Sequence, residues 1–202
     1  IIKGQNENGG WAYSYGKGVA AHTDLSVTGW NIQALKAAIY TGISIDGIDE
    51  ALDKAIKYTK ECQDKVGKFA YQRGKTGKAS LTGTGVLSLQ IWKNAKSAEA
   101  KKGLEWIQKN MSESQAQKEW KNINIYGWYY HAQACFQATG AGGANFWRAW
   151  NKDFQQIVTK AQSEDGHWPH GYHFHGDTDI YRTTMTILML EVYYRYMPST
   201  KV

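Results

Sequence analysis

The sequence predicts an all-α protein of about seven helices in stacked antiparallel hairpins, and three observations carry that expectation. A frame of the form Gln-x-x-x-Gly-x-aromatic stands at Gln5 to Trp11, at Gln63 to Phe69 and at Gln162 to Trp168, and such self-similarity marks a repeat architecture. Between its copies, apolar residues recur at the helical period. No Val/Ile-rich run with strict alternation marks a strand. Aligning Gly29, Gly83, Gly127 and Thr184 gives four units spaced by 54, 44 and 57 residues, room for two helices and two loops each.

Each letter of the frame has a physical reason. A Gln at a helix end can turn its amide onto backbone groups left unpaired there. The Gly permits a turn with positive φ, and the aromatic covers an apolar seam between helices. The frame therefore reads as a clasp between units.

In chain order, Gly9 to Gly16 is a loop, and Asp24 is an N-cap of the preferred kind for a helix running to about Tyr40, with Gly42 at its C′ position. Asp46 is expected to cap the next helix, whose stripe Ile48, Leu52, Ile56 and Thr59 is backed by Glu50/Lys54 and Asp53/Lys57 pairs. The second unit repeats this order, with a helix from about Ser80 to Trp92 and another opening at Ser97 with the stripe Ala100, Leu104, Ile107 and Met111. In the third unit the frame is degenerate: Gln115 and Gln117 precede Trp120 without an intervening Gly. Helices from about Ile125, from Asn145 to Ala161, and from Asp179 to Met197 complete the chain.

Composition narrows the function classes. The +6 formal charge comes from scattered Lys without a dense basic run, which reads as solvation rather than nucleic-acid binding. Cys62 and Cys135 have no second Cys at metal-ligand spacing, so neither a cysteine zinc site nor a disulfide scaffold is expected. The apolar run Met185 to Met189 is far too short to span a bilayer. The chain is read as a soluble single domain, residues 1–202. Because it opens almost inside a clasp, it is expected to be a fragment of a longer protein, and its compartment is left open, export included. Nine Trp and thirteen Tyr fit either a thick interhelical core or a concave surface for rings, sugars or isoprenoid chains.

On its clasps the chain resembles the terpenoid cyclase and protein prenyltransferase superfamily, whose α/α toroids carry Gln-x-x-x-Gly-x-Trp repeats. Through Asp24-Leu25-Ser26-Val27-Thr28-Gly29-Trp30 and the ending Leu188 to Pro198, it looks most similar to bacterial proteins labelled as prenyltransferase or squalene-oxidase repeat proteins. The resemblance implies a partial toroid of four such units, an open arc rather than a closed ring. Squalene-hopene cyclases protonate an alkene with the middle Asp of an Asp-x-Asp-Asp-Thr motif. Asp177-Thr178-Asp179 stands at the corresponding place, with Asp179 matching the protonating residue and Ile180 replacing the last Asp. The repeat also allows Asp24 and Asp179 to be equivalent N-caps. The Asp-x-Cys zinc pair of prenyltransferases and the thioester motif of complement-class toroids are both missing, so no cofactor is expected.

The most chemical-looking stretch is His167 to Asp177, with four of the six His within nine residues. Three readings stand open for it: exposed aromatic loop residues, because His170 occupies the place of Tyr13 and Tyr71; a ligand subsite; or a metal site, imidazoles being common ligands. If the hairpins stack as expected, the inner helices' N-termini and the clasp loops share one rim. Trp11, Tyr13, Asp24, Trp30, Tyr71, Trp128, His131, His170, His173, Asp177, Asp179 and Tyr181 are then the candidates to line the main cleft, with Asp177 and Asp179 as the catalytic pair of an enzyme. The favoured reading is a noncatalytic module that binds a small molecule, lipid or carbohydrate, or acts as a scaffold. The alternative is an enzyme acting on an isoprenoid or a polysaccharide.

Overall fold

Of the seven α-helices among the described residues, four begin at a residue whose side chain accepts one of their unpaired N–H groups, though not always the residue expected. The computed structural model describes residues 1–14, 22–114, 118–172 and 177–194. Helix α1 (Leu25–Tyr40) is capped by Asp24, which accepts from the Ser26 N–H at 2.7 Å. Ser97 caps α4 (Ala98–Glu113), and Asn124 caps α5 (Ile125–Gln137). Helix α2 (Ile48–Glu61) departs from expectation: its N-cap is Gly47 at φ +75°, with no side-chain bond from Asp46. Its acidic first turn, Asp49 and Glu50, meets the helix dipole instead. Helices α3 (Ala79–Ile91) and α6 (Ala144–Ala161) also begin without a side-chain cap. In α7 (Asp179–Leu190) the cap is Thr178, so Asp179 lies inside the first turn and is not the counterpart of Asp24. Helix α7 tightens into a 3-10 turn at Glu191–Tyr193, earlier than the expected end at Met197, which lies outside the described residues. No described residue belongs to a β-strand.

Packing sorts the helices into two sets. Helix α3 touches α1, α2, α4 and α5, and α5 touches α3, α4, α6 and α7. Hence α1, α3, α5 and α7 form a row of successive neighbours, with α2, α4 and α6 packed against it. Helix α3 is buried on all sides, Leu81 through Gln90 without interruption, as a helix at the centre of such a row must be. The row runs in one direction. Gly127 lies against Ser80, Gly83 against Tyr130 and His131, and Gln90 Nε2 donates to the Ala134 carbonyl at 2.8 Å, so contacts climb α3 and α5 together. Arg182, near the start of α7, reaches the carbonyls of Trp120 and Ile123 just before α5.

The clasps fix the ends of this row, and their geometry recurs closely. Gln5 Nε2 donates to the Gly9 carbonyl and to Ala51 in α2, both at 2.8 Å. Gln63 Nε2 does the same to Gly67 at 3.2 Å and to Glu99 in α4 at 2.9 Å. The two glycines have φ of +94° and +99°, and each presses on the backbone of that outer helix, at Lys54 and Lys102. The aromatic residue's N–H then donates to a Thr hydroxyl in the following helix: Trp11 to Thr28, Phe69 to Thr82, Trp168 to Thr183. Phe69 itself is fully buried and wedged against Gly85 of α3 and Gly103 of α4, which is the seam-covering role expected of it.

Close approach of α3 and α5 depends on a missing side chain. A Cβ at Gly83 would stand 2.5 Å from the Tyr130 carbonyl carbon, and neither backbone can yield without moving its helix. Gly83→Val is expected to cost about 2 to 3 kcal/mol, read as a lower urea midpoint with the helical circular dichroism retained.

Candidate functional site

The N-terminal rim of the row gathers aromatic residues from four different segments. Tyr13 and Tyr71 come from the two clasp loops, Trp30 from the second turn of α1, and Tyr126, Tyr129 and Tyr130 from the start of α5. Trp30 meets the edge of Tyr130 at 6.2 Å between ring centroids, and Tyr130 meets Tyr126 and Tyr129, each at 5.0 Å. Burial raises the Tyr126 phenol, its hydrogen bonds to Tyr130 and Thr84 oppose that, and Tyr71 and Tyr13 lie near enough to add to the rise. The Tyr130 and Thr84 hydroxyls are buried beside it. At the outer margin, the Tyr13 hydroxyl stands 3.4 Å from Ser26 Oγ.

The expected site residues divide into three groups. Tyr13, Trp30 and Tyr71 are exposed on the rim, at 82%, 54% and 43%. Trp11, Trp128 and His131 are buried and serve the fold. Trp11 Nε1 donates to the Ile1 carbonyl, and Trp128 packs on Trp150 and Phe154 of α6, away from the rim. Asp24 is occupied as the cap of α1. His131 Nε2 lies 3.1 Å from the Ala79 carbonyl, pinning α5 to the start of α3, and burial lowers its pKa to about 4. It is therefore a neutral N–H donor at pH 7.

The third group lies around α7. Asp177 is buried in a two-pronged pair with Arg182, with Oδ1 2.6 Å from Nε and Oδ2 2.7 Å from a terminal nitrogen. The other guanidinium contacts reach the Trp120 and Ile123 carbonyls and the Trp120 ring. This is a structural pin between α7 and the turn before α5, a place for Asp177 unlike that of a reacting carboxyl. Asp179, by contrast, is exposed. Its Oδ1 accepts from the His170 backbone N–H at 2.6 Å and lies 2.8 Å from His170 Nδ1, while His167 Nε2 stands 3.8 Å from Oδ2. His167 also meets Asp165 at 2.6 Å. The bond from His170 holds the Asp179 carboxyl below the usual range, the opposite of what an alkene-protonating acid requires. Tyr181 is half-buried beside this group. His173 lies outside the described residues, and no set of three or more His, Cys, Asp or Glu among the described residues is arranged to hold a metal.

Open grooves of about 450 to 500 Å³ lie elsewhere among the described residues, two beside α4 and α6, one of them between Lys101, Leu104 and Phe146, and one between α6 and Trp120. None of these three contains a residue of the aromatic rim. Sequence reasoning missed Tyr126, Tyr130, Thr84 and Arg182. A signal for Tyr126 was present: aligned on the inner glycines, it replaces the Thr that stands at 28, 82 and 183. No protein-family model matches the chain, and no curated protein matches it. No described helix is long and apolar enough to cross a membrane.

Two outcomes follow from this geometry. His131 has a folded pKa near 4 against 6.5 when unfolded, so the unfolded chain takes up its proton first as pH falls. Stability is then full above pH 6.5 and drops by up to about 3 kcal/mol on the way to pH 4; urea titrations should show a shallower loss in His131→Gln. Arg182→Met strands a buried carboxylate and is expected to cost about 3 to 5 kcal/mol, much of it regained when Asp177→Leu is added.

Proposed function

We propose that the helices form four repeat units, three hairpins and the single helix α7, of a partial α/α toroid like those of the terpenoid cyclase and prenyltransferase superfamily, and that the chain is a ligand-binding module using its aromatic rim. The recurrence of one clasp geometry at Gln5, Gln63 and Gln162 supports the architectural part. The functional part is carried by one observation: Tyr13, Trp30 and Tyr71 stay exposed, and Trp30 meets the edge of Tyr130, which packs on Tyr126. An exposed apolar patch of this kind, rimmed by polar groups, marks an interaction site. Aromatic faces suit a sugar ring or an isoprenoid chain.

Binding is tested by titrating the protein with soluble oligosaccharides and short isoprenoid alcohols while following tryptophan fluorescence. Trp30→Ala is expected to weaken any binding found at least about tenfold with the melting temperature nearly unchanged, since Trp30 is half exposed. Asp179→Asn should leave binding unaltered and no product should form. Turnover of a bound compound that Asp179→Asn abolishes would establish the enzyme reading in its place.

A further inference from the structure

The segment from the Gln162 clasp to the start of α7 carries charged groups that the clasp itself does not need. The amide bond to the clasp glycine forms at Gln5 and Gln63 as it does at Gln162. Yet the places of Asp165, His167 and His170 are taken there by Asn8, Gly10 and Tyr13, and by Val66, Lys68 and Tyr71. Closing the turn therefore asks for neither an imidazole nor a carboxylate at these positions.

Four side chains nevertheless form one line of contacts, from Asp165 through His167 and Asp179 to His170. Asp165 Oδ1 lies 2.6 Å from His167 Nδ1. A carboxylate only accepts, so Nδ1 carries the proton, and the lone pair of the neutral ring is on Nε2. Nε2 in turn stands 3.8 Å from Asp179 Oδ2. The other oxygen of Asp179 is already engaged: Oδ1 accepts from the His170 backbone N–H at 2.6 Å and lies 2.8 Å from His170 Nδ1, which by the same rule is a donor. Both carboxyls are held below their usual range, Asp165 by its hydrogen bond with His167 and Asp179 by those with His170, so both are ionised at neutral pH.

A neutral nitrogen lone pair and an anionic oxygen thus face each other at a separation too long for a hydrogen bond. The spacing suits a divalent ion. With ligand bonds of about 2.0 to 2.2 Å, a nitrogen and an oxygen on a tetrahedral zinc stand roughly 3.4 Å apart, a small closure for side chains open to solvent. The supporting shell is also in place. Metal-bound histidines almost always donate their other ring N–H to a carboxylate or carbonyl, and ligating carboxylates are themselves hydrogen-bonded; Asp165 stands in that relation to His167, and His170 to Asp179. We propose that His167 Nε2 and Asp179 Oδ2 bind a zinc ion, with Asp165 and His170 as the residues that position them. Two protein ligands converge and no set of three is arranged for a metal among the described residues, so water completes the coordination and the site is an open one of modest affinity. An imidazole in the ligand set favours zinc over calcium or magnesium, which take oxygen ligands. This site is independent of the ligand proposed for the rim.

Isothermal titration of the untagged chain with zinc chloride is expected to show one ion bound per chain, undisturbed by an equal concentration of calcium. His167→Gln and Asp179→Asn should each weaken binding at least about tenfold. Asp165→Ala leaves both ligands in place and frees the ring, and should cost about tenfold in affinity with the stoichiometry kept. These three side chains are open to solvent, so unchanged melting curves in the absence of zinc will show that folding is intact. No saturable binding at millimolar zinc overturns the proposal. Binding that survives both His167→Gln and Asp179→Asn, or that calcium displaces at equal concentration, overturns it as well.

Discussion

The neutral hydrogen bond from a glutamine amide to a carbonyl of the next outer helix is the interaction on which the arrangement depends. A Gln side chain offers two N–H donors from one planar group. At Gln5 and Gln63 one donor closes the local turn at the clasp glycine and the other crosses to α2 or α4. Local and long-range order are thereby set by one residue. A Lys in its place would bring a charge that needs solvation, and an aliphatic side chain would leave a partly buried carbonyl unpaired. The positive φ at Gly9 and Gly67 lets the outer helix come close enough for the crossing bond to form, so frame and packing are one constraint.

That constraint also shapes the rim. Because the aromatic N–H of each clasp is received by a Thr one turn into the following helix, positions 28, 82 and 183 are committed to the fold. The third unit lacks a regular clasp, and its equivalent position is free to carry Tyr126. The aromatic cluster therefore gathers at the one inner helix released from the clasp rule, with Trp30 and the loop tyrosines arranged around it. Relaxation of a structural rule in one unit is where a repeat architecture can place a site.

The helices were legible in the sequence because period, caps and clasps agreed. Of the stripe Ile48, Leu52, Ile56 and Thr59 the last three are buried and Ile48 is half-buried, and the boundaries of α1, α3 and α6 fall within a residue or so of expectation. Asp46 misled because a left-handed Gly47 starts α2 without a side-chain acceptor. The site was less legible, since residue type does not tell exposure. Trp11, Trp30 and Trp128 look alike in the sequence, yet only Trp30 reaches the surface. His131 and Asp177 drew notice as reactive types, and their partners, the Ala79 carbonyl and Arg182, lie far enough away in sequence or role that spacing could not reveal them.

Where the clasp fails, the chain joins its units by different chemistry. The turn before α5 has Trp120, whose Nε1 donates forward to the Pro169 carbonyl at 2.6 Å and not back to its own outer helix as Trp168 does. Arg182 then crosses from α7 to the Trp120 and Ile123 carbonyls, with Asp177 balancing its charge. A guanidinium can serve several acceptors at fixed angles where an amide serves two. Its burial carries a desolvation cost that the Gln clasp avoids, so such a pin adds geometric definition more than net stability. Gly171 is required beside it, since any Cβ there would fall on the guanidinium. The backbone carrying His170, and with it the cluster around Asp179, is thus held by a buried charge pair on one side and by the Trp168 clasp bonds on the other.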